Sequence, residues 1–192
     1  MAEPHSVCPW WLGYVLASPI RRLIEPPERL FASVVKPGMT VVEPGCGMGY
    51  FSLPLARLVG LPGKVVCVDL QERMIGGLLR RARRAGLADR IVARVCSADD
   101  LGLAAFSGSA DLALAIHMVH EVPDPPRLLR QLHDALRPGG RLLIVEPRGH
   151  VSAEAFEETL AQAGREGFAR TDARPAARGR AALLVRPERK QA

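Results

Sequence analysis

The sequence predicts an α/β fold: a doubly wound, mostly parallel sheet of seven strands, with an N-terminal helical cap. Three observations lead there. Short β-branched runs alternate with longer helical patterns through residues 38–146. That alternation belongs to parallel sheets covered on both faces. The first two runs end in a glycine-rich loop and an aspartate, where ligands approach such sheets.

The elements follow in order. Residues 1–36 form the expected cap, with an amphipathic stretch from Trp11 to Ile24. Pro26 and Pro27 interrupt it, and Glu28 to Val35 reads as a second helical piece. Thr40 to Glu43 is the first strand. Tyr50 to Val59 is a helix that tolerates Pro54 in its first turn. Lys64 to Val68 is the second strand, ending at Asp69, and Gln71 to Ala85 is an Arg-rich helix stopped near Gly86. Ile91 to Cys96 and Ala110 to Ile116 are the third and fourth strands. Pro126 to Leu136 is a helix ended by Pro138-Gly139-Gly140, and Arg141 to Glu146 is the fifth strand. Ser152 to Gly164 is a helix with Ser152 as N-cap and Glu154 in its first turn. Phe168 to Ala173 and Ala181 to Val185 are closing strands. The expected organisation is one domain: cap 1–36, cofactor-binding core 37–150, and C-terminal helix and strands 151–192.

Composition bounds the function. With 192 residues, 48% of them hydrophobic, there is material for one core and not for two. A charged fraction of 24% and a mean hydropathy of +0.07 argue against wholesale disorder. No apolar run reaches the roughly 18 residues of a membrane span. Met1 to Cys8 lacks the pattern of a signal peptide, so a cytoplasmic location with no membrane partner is expected. Cys8, Cys46, Cys67 and Cys96 contain no C-x-x-C pair and are expected to be free thiols, with no metal site. His5 beside Cys8 is too little for one. The net charge is +6, and the only lysines are Lys36, Lys64 and Lys190. Arg73, Arg80, Arg81, Arg83 and Arg84 read as a solvated helix face rather than a nucleic-acid footprint.

The chemistry concentrates at Glu43-Pro44-Gly45-Cys46-Gly47-Met48-Gly49. Glycines there let a ligand approach the backbone. The spacing is G-x-G-x-G rather than the G-x-G-x-x-G of dinucleotide binders. Asp69, about 20 residues downstream, stands where ribose hydroxyls are held. A carboxylate at Glu43 opposes a pyrophosphate and suits a ligand carrying ammonium and sulfonium groups. S-adenosylmethionine carries both.

The stretch V-V-E-P-G-C-G-M-G-Y-F-S resembles the first motif of class I S-adenosylmethionine-dependent methyltransferases. V-V-C-V-D-L resembles their second motif, A-D-L-A-L-A-I-H-M-V-H-E-V their fourth, and L-R-P-G-G-R-L-L-I-V-E-P the approach to their fifth strand. The resemblance implies that Glu43 and the loop of Gly45, Cys46, Gly47 and Gly49 hold the methionine end. It implies that Asp69 binds the ribose and Leu70 packs on the adenine, with Ser97, Ala98 and Asp99 at the adenine edge. Ser97 stands where the family often has an acid, and Asp99 is the substitute. His117 follows the fourth strand and is expected near the transferred methyl, as cofactor contact and as catalytic base; His150, after the fifth strand, is the second candidate. His120 and Glu121 read as part of a turn before Pro123-Asp124-Pro125. Trp10 and Trp11 are expected to anchor the cap. The expected function is methyl transfer to a small molecule. The alternatives are a methyltransferase acting on RNA, on thiols or on metalloids, an NAD-dependent oxidoreductase, and a non-catalytic nucleotide-binding protein.

Overall fold

In the computed structural model, the described residues are Trp11, Gly13, Arg21, 25–173 and 175–188. The chain forms α1 (Pro27–Phe31), β1 (Thr40–Pro44), α2 (Ser52–Val59), β2 (Lys64–Asp69), α3 (Glu72–Arg84) and β3 (Ile91–Val95). It continues through β4 (Ala110–Ile116), α4 (Pro125–Ala135), β5 (Leu136–Glu146), α5 (Ala153–Arg165), β6 (Ala169–Arg170) and β7 (Arg180–Val185). Single 3-10 turns lie at Ala88–Arg90, Ala104–Phe106 and Val119–Glu121. The seven strands form one sheet in the order β3-β2-β1-β4-β5-β7-β6. The pairs among β1 to β5 are parallel, and β7 runs antiparallel to both β5 and β6. The expected fold class is therefore present.

Alternation along each strand feeds two cores. Val41, Leu112, Leu114 and Leu143 pack with α1, α2 and α3 on one face. Val42, Ala113, Ala115, Leu142 and Ile144 pack with α4 and α5 on the other. Both faces are buried along the middle of these strands, so Val41-Val42, Leu112 to Ala115 and Leu142 to Val145 read as short unbroken apolar runs. Ser152 caps α5 by accepting the Ala155 N–H, and Asp124 caps α4 by accepting that of Arg127.

Three expectations at the level of elements need correction. Pro138-Gly139-Gly140 lies inside β5 and does not separate a helix from a strand. Pairing with β4 begins at Ala110–Leu136 and resumes at Leu112–Arg141, so the tripeptide forms a bulge. A Cβ at Gly140 would stand 2.7 Å from the Arg137 carbonyl, which explains the glycine. The first closing strand is only Ala169–Arg170, shorter than the expected Phe168–Ala173. Third, Arg81 is not part of a solvated face: it is half-buried and donates to the Met48 carbonyl in the glycine loop.

Of the cap, Trp11, Gly13 and Arg21 are described, as is 25–36; His5, Cys8, Trp10, Tyr14 and most of the Trp11–Ile24 stretch lie outside the described residues. Trp11 is exposed, unlike the anchoring position expected for it. No helix among the described residues is long and apolar enough to cross a membrane.

The glycine loop is locked against α3. Gly49 has φ +83°, and a Cβ there would lie 2.4 Å from Leu78 Cδ1. Gly49→Ala combines a left-handed alanine with a clash against a fully buried leucine. It is expected to destabilise the fold by about 2–4 kcal/mol. Urea unfolding checks this, and an unchanged midpoint would show that loop and helix are not locked together.

Candidate active site

β1, β2 and β3 run outward on one side of the sheet and β4 and β5 on the other, so strand order reverses between β1 and β4. A cavity of about 730 Å³ opens there, beyond the carboxyl ends of the strands. Gly45, Cys46, Gly47 and Met48 line it from the glycine loop, and Asp69 and Leu70 from the end of β2. Cys96, Ser97 and Ala98 come from the end of β3, His117 and His120 follow β4, and Pro147 and His150 follow β5. Gly13 and Arg21 border it from the cap.

Asp69 organises the loop. Its Oδ2 accepts the Gly47 N–H and its Oδ1 the Gln71 N–H, both at 2.9 Å. Burial raises its pKa, while those two bonds pull the other way. Leu70 next to it is an exposed leucine, one of few large apolar side chains left open to solvent. Gly45 and Gly47 have φ +65° and +53°, which only glycine adopts without strain. A Cβ on Gly47 would meet nothing within 4 Å, so this stretch of backbone faces open space.

Two histidine–carboxylate pairs stand on the far side of the cavity. His117 Nε2 lies 2.7 Å from Glu25 Oε1, and Arg21 holds the other Glu25 oxygen at 2.8 Å. Burial pushes the Glu25 carboxyl up, but His117 and Arg21 outweigh it and hold it below its ordinary range. His117 sits at φ +55°, a strained conformation for a histidine, and its Nδ1 is buried with no hydrogen-bond partner among the described residues. In the second pair, His120 Nδ1 lies 2.5 Å from Oε2 of Glu146. Glu146 is buried at the end of β5, and its Oε1 accepts the Val119 N–H at 2.8 Å. The His150 ring meets that of His120 edge to face, with centroids 5.8 Å apart.

A methyltransferase domain family model matches residues 35–173. The chain belongs to that family. It is similar to 2-phytyl-1,4-naphtoquinone methyltransferase of Synechococcus elongatus, with 34% identity over 114 residues, 59% of this chain and 48% of the relative. It is also similar to a ubiquinone biosynthesis O-methyltransferase of Xanthomonas campestris, with 32% identity over 138 residues, 70% of this chain and 54% of the relative. The chain thus spans about half the length of the curated relatives it matches. Among solved structures, a SAM-dependent methyltransferase from Aquifex aeolicus shares the fold at a TM-score of 0.81 and 22% identity, over 93% of this chain and 98% of that one. The cofactor that goes with this family and fold is S-adenosylmethionine.

Within this methyltransferase domain the expected site residues divide. Gly45, Cys46, Gly47, Asp69, Leu70, Ser97, Ala98, His117 and His150 all line the cavity. Glu43, Gly49 and Asp99 do not. Gly49 is spent on packing against Leu78. Asp99 is turned away to an exposed contact with Arg127, 3.4 Å from its guanidinium. Glu43 lies beneath the loop, where the Cys67 thiol approaches its Oε2 at 3.8 Å. Burial pushes its carboxyl up to about 8, so Glu43 is mostly protonated at neutral pH. That burial works against the negative charge expected at Glu43.

The cavity cysteines are thiols, not thiolates. Burial, aided by Asp69 and Asp100, pushes Cys96 up to about 11. Cys46 is pushed up by its contact with Cys67 and then by burial. Among the described residues, no three His, Cys, Asp or Glu side chains converge as metal ligands. Two residues escaped the sequence reading: Glu25, which precedes the Pro26-Pro27 break, and Glu146. The one available signal was an acid ending the apolar run Leu142-Leu143-Ile144-Val145.

Proposed function

We propose that the protein transfers a methyl group from S-adenosylmethionine to a small acceptor bearing an aromatic or enolic hydroxyl, of the phenol or quinol class. The observation that carries this reading is a single cavity running from the glycine loop and Asp69 to His120 and His150. Its volume lies within the roughly 300–1,000 Å³ of small-molecule sites.

The residues present fit the cofactor. The open backbone at Gly47 suits the methionine end, and the Asp69 carboxylate has lone pairs left to accept ribose hydroxyls. Leu70, Ser97 and Ala98 offer a surface for adenine. When bound, S-adenosylmethionine supplies an electrophilic methyl carbon on a sulfonium sulfur. The protein's task is then to orient the acceptor, exclude water and take up a proton. Met118, Val122 and Leu128 on the cavity wall favour an apolar acceptor ring. Relatives named for quinones support a quinone-type ring, and the one named an O-methyltransferase supports a hydroxyl acceptor. His117, bound to Glu25, ties the cap to the end of β4 and closes the methyl-transfer end against water. His150 borders the acceptor beside His120.

The test is transfer of labelled methyl from S-adenosylmethionine to a panel of hydroquinones, catechols, alkyl thiols, arsenite and RNA. Product from the phenolic acceptors is expected. Labelling of RNA or thiols alone would overturn the reading.

A further inference from the structure

Resting on the reading above, we infer that His120 is the general base of the reaction and Glu146 the residue that orients it. The acceptor is accordingly one whose hydroxyl must lose a proton as it is methylated.

The geometry distinguishes the two histidines expected to compete for this role. His117 has no nitrogen to offer, because Nε2 is held by Glu25 and Nδ1 is buried. His120 is arranged differently. Its Nδ1 meets a carboxylate that is almost wholly buried, and the Val119 N–H fixes that carboxylate's other oxygen. A carboxylate that close takes the Nδ1–H tautomer, leaving the lone pair on Nε2. Nε2 has no hydrogen-bond partner among the described residues; Glu121 Oε1 lies 3.8 Å from it. The groups facing the imidazole are thus Glu146 from β5, His150 from the segment after β5, and Glu121 from its own turn.

The step balances. The acceptor O–H bond breaks and its proton passes to Nε2. The oxygen forms a bond to the methyl carbon, while the C–S bond breaks and leaves its electron pair on the now neutral sulfur. Glu146 takes no proton; it holds the ring and offsets the new positive charge.

His120→Gln and Glu146→Gln separate this inference from the reading beneath it. Both variants are expected to bind S-adenosylhomocysteine within about threefold of the native protein, measured by calorimetry. Failure of the native protein to bind it would instead sink the cofactor reading. His120→Gln is expected to lower kcat about 100-fold for a weakly acidic phenol. It should also abolish the acid limb of the pH–rate profile. A nitrophenol already ionised at the assay pH should lose far less. Glu146→Gln should lower kcat less than His120→Gln, and ¹⁵N spectra should show the His120 tautomer no longer confined to Nδ1–H. Should His120→Gln fail to fold, the spectra and the acceptor series on Glu146→Gln decide. Equal losses for acidic and weakly acidic acceptors, an unaltered acid limb, or an unchanged tautomer in Glu146→Gln would overturn the assignment.

Discussion

Asp69→Asn is expected to weaken S-adenosylhomocysteine binding about 100-fold, on the basis of lost charged hydrogen bonds at roughly 1.5–3 kcal/mol each. The native carboxylate accepts two backbone N–H groups, from Gly47 and Gln71. In asparagine, one of those oxygens becomes an NH₂ group that faces a donor, so the Gly47 segment or the start of α3 loses its tether. The same change removes an ionised acceptor for the ribose hydroxyls. Two effects therefore fall on one ligand, the shape of the loop and the contact itself. Calorimetric titration measures the affinity, and a thermal melt separates it from unfolding. A native-like affinity would show that Asp69 serves only the local backbone.

Glu43→Gln is expected to remove much of the pH dependence of stability between about pH 4.5 and 8. The folded protein holds the Glu43 proton up to about 8, whereas the unfolded chain releases it near 4.5. Across that window the folded state binds more protons, so stability is full at the acid end and falls as pH rises. The loss attributable to this group is on the order of 4 kcal/mol. Glutamine is neutral throughout and nearly the same size. Stability of the variant relative to the native protein should therefore rise with pH across the window and level off above it. Paired denaturant titrations at pH 5, 6.5 and 8.5 measure the difference. A constant difference would show that Glu43 is ionised in the folded state and that its burial is relieved in another way.

The sheet was readable because its cause is local. Val41-Val42 and Leu112 to Ala115 are apolar on both faces, and a strand buried on both faces has no polar position to hide it. Pro138-Gly139-Gly140 misled because such residues ordinarily end an element; here Gly139 donates to Arg186 across the bulge, a contact 47 positions away that no local pattern announces. The site shows the same division. Gly45, Gly47, Asp69 and Leu70 occupy the ends of strands, so topology alone delivers them to the cavity. The ionisation of Glu43 depends on how deep the loop sits, which spacing does not encode. Glu25 and Glu146 reach their histidines across 92 and 26 positions, and no local pattern pairs either acid with its histidine.

The most direct measurement is a crystal structure with S-adenosylhomocysteine. Density is expected along the carboxyl edge of β1 and β2, with the ribose on Asp69, the adenine over Leu70 and the sulfur turned toward the His117–His120 side. Density elsewhere, or an empty cavity filled instead by soaked NAD, would contradict the account.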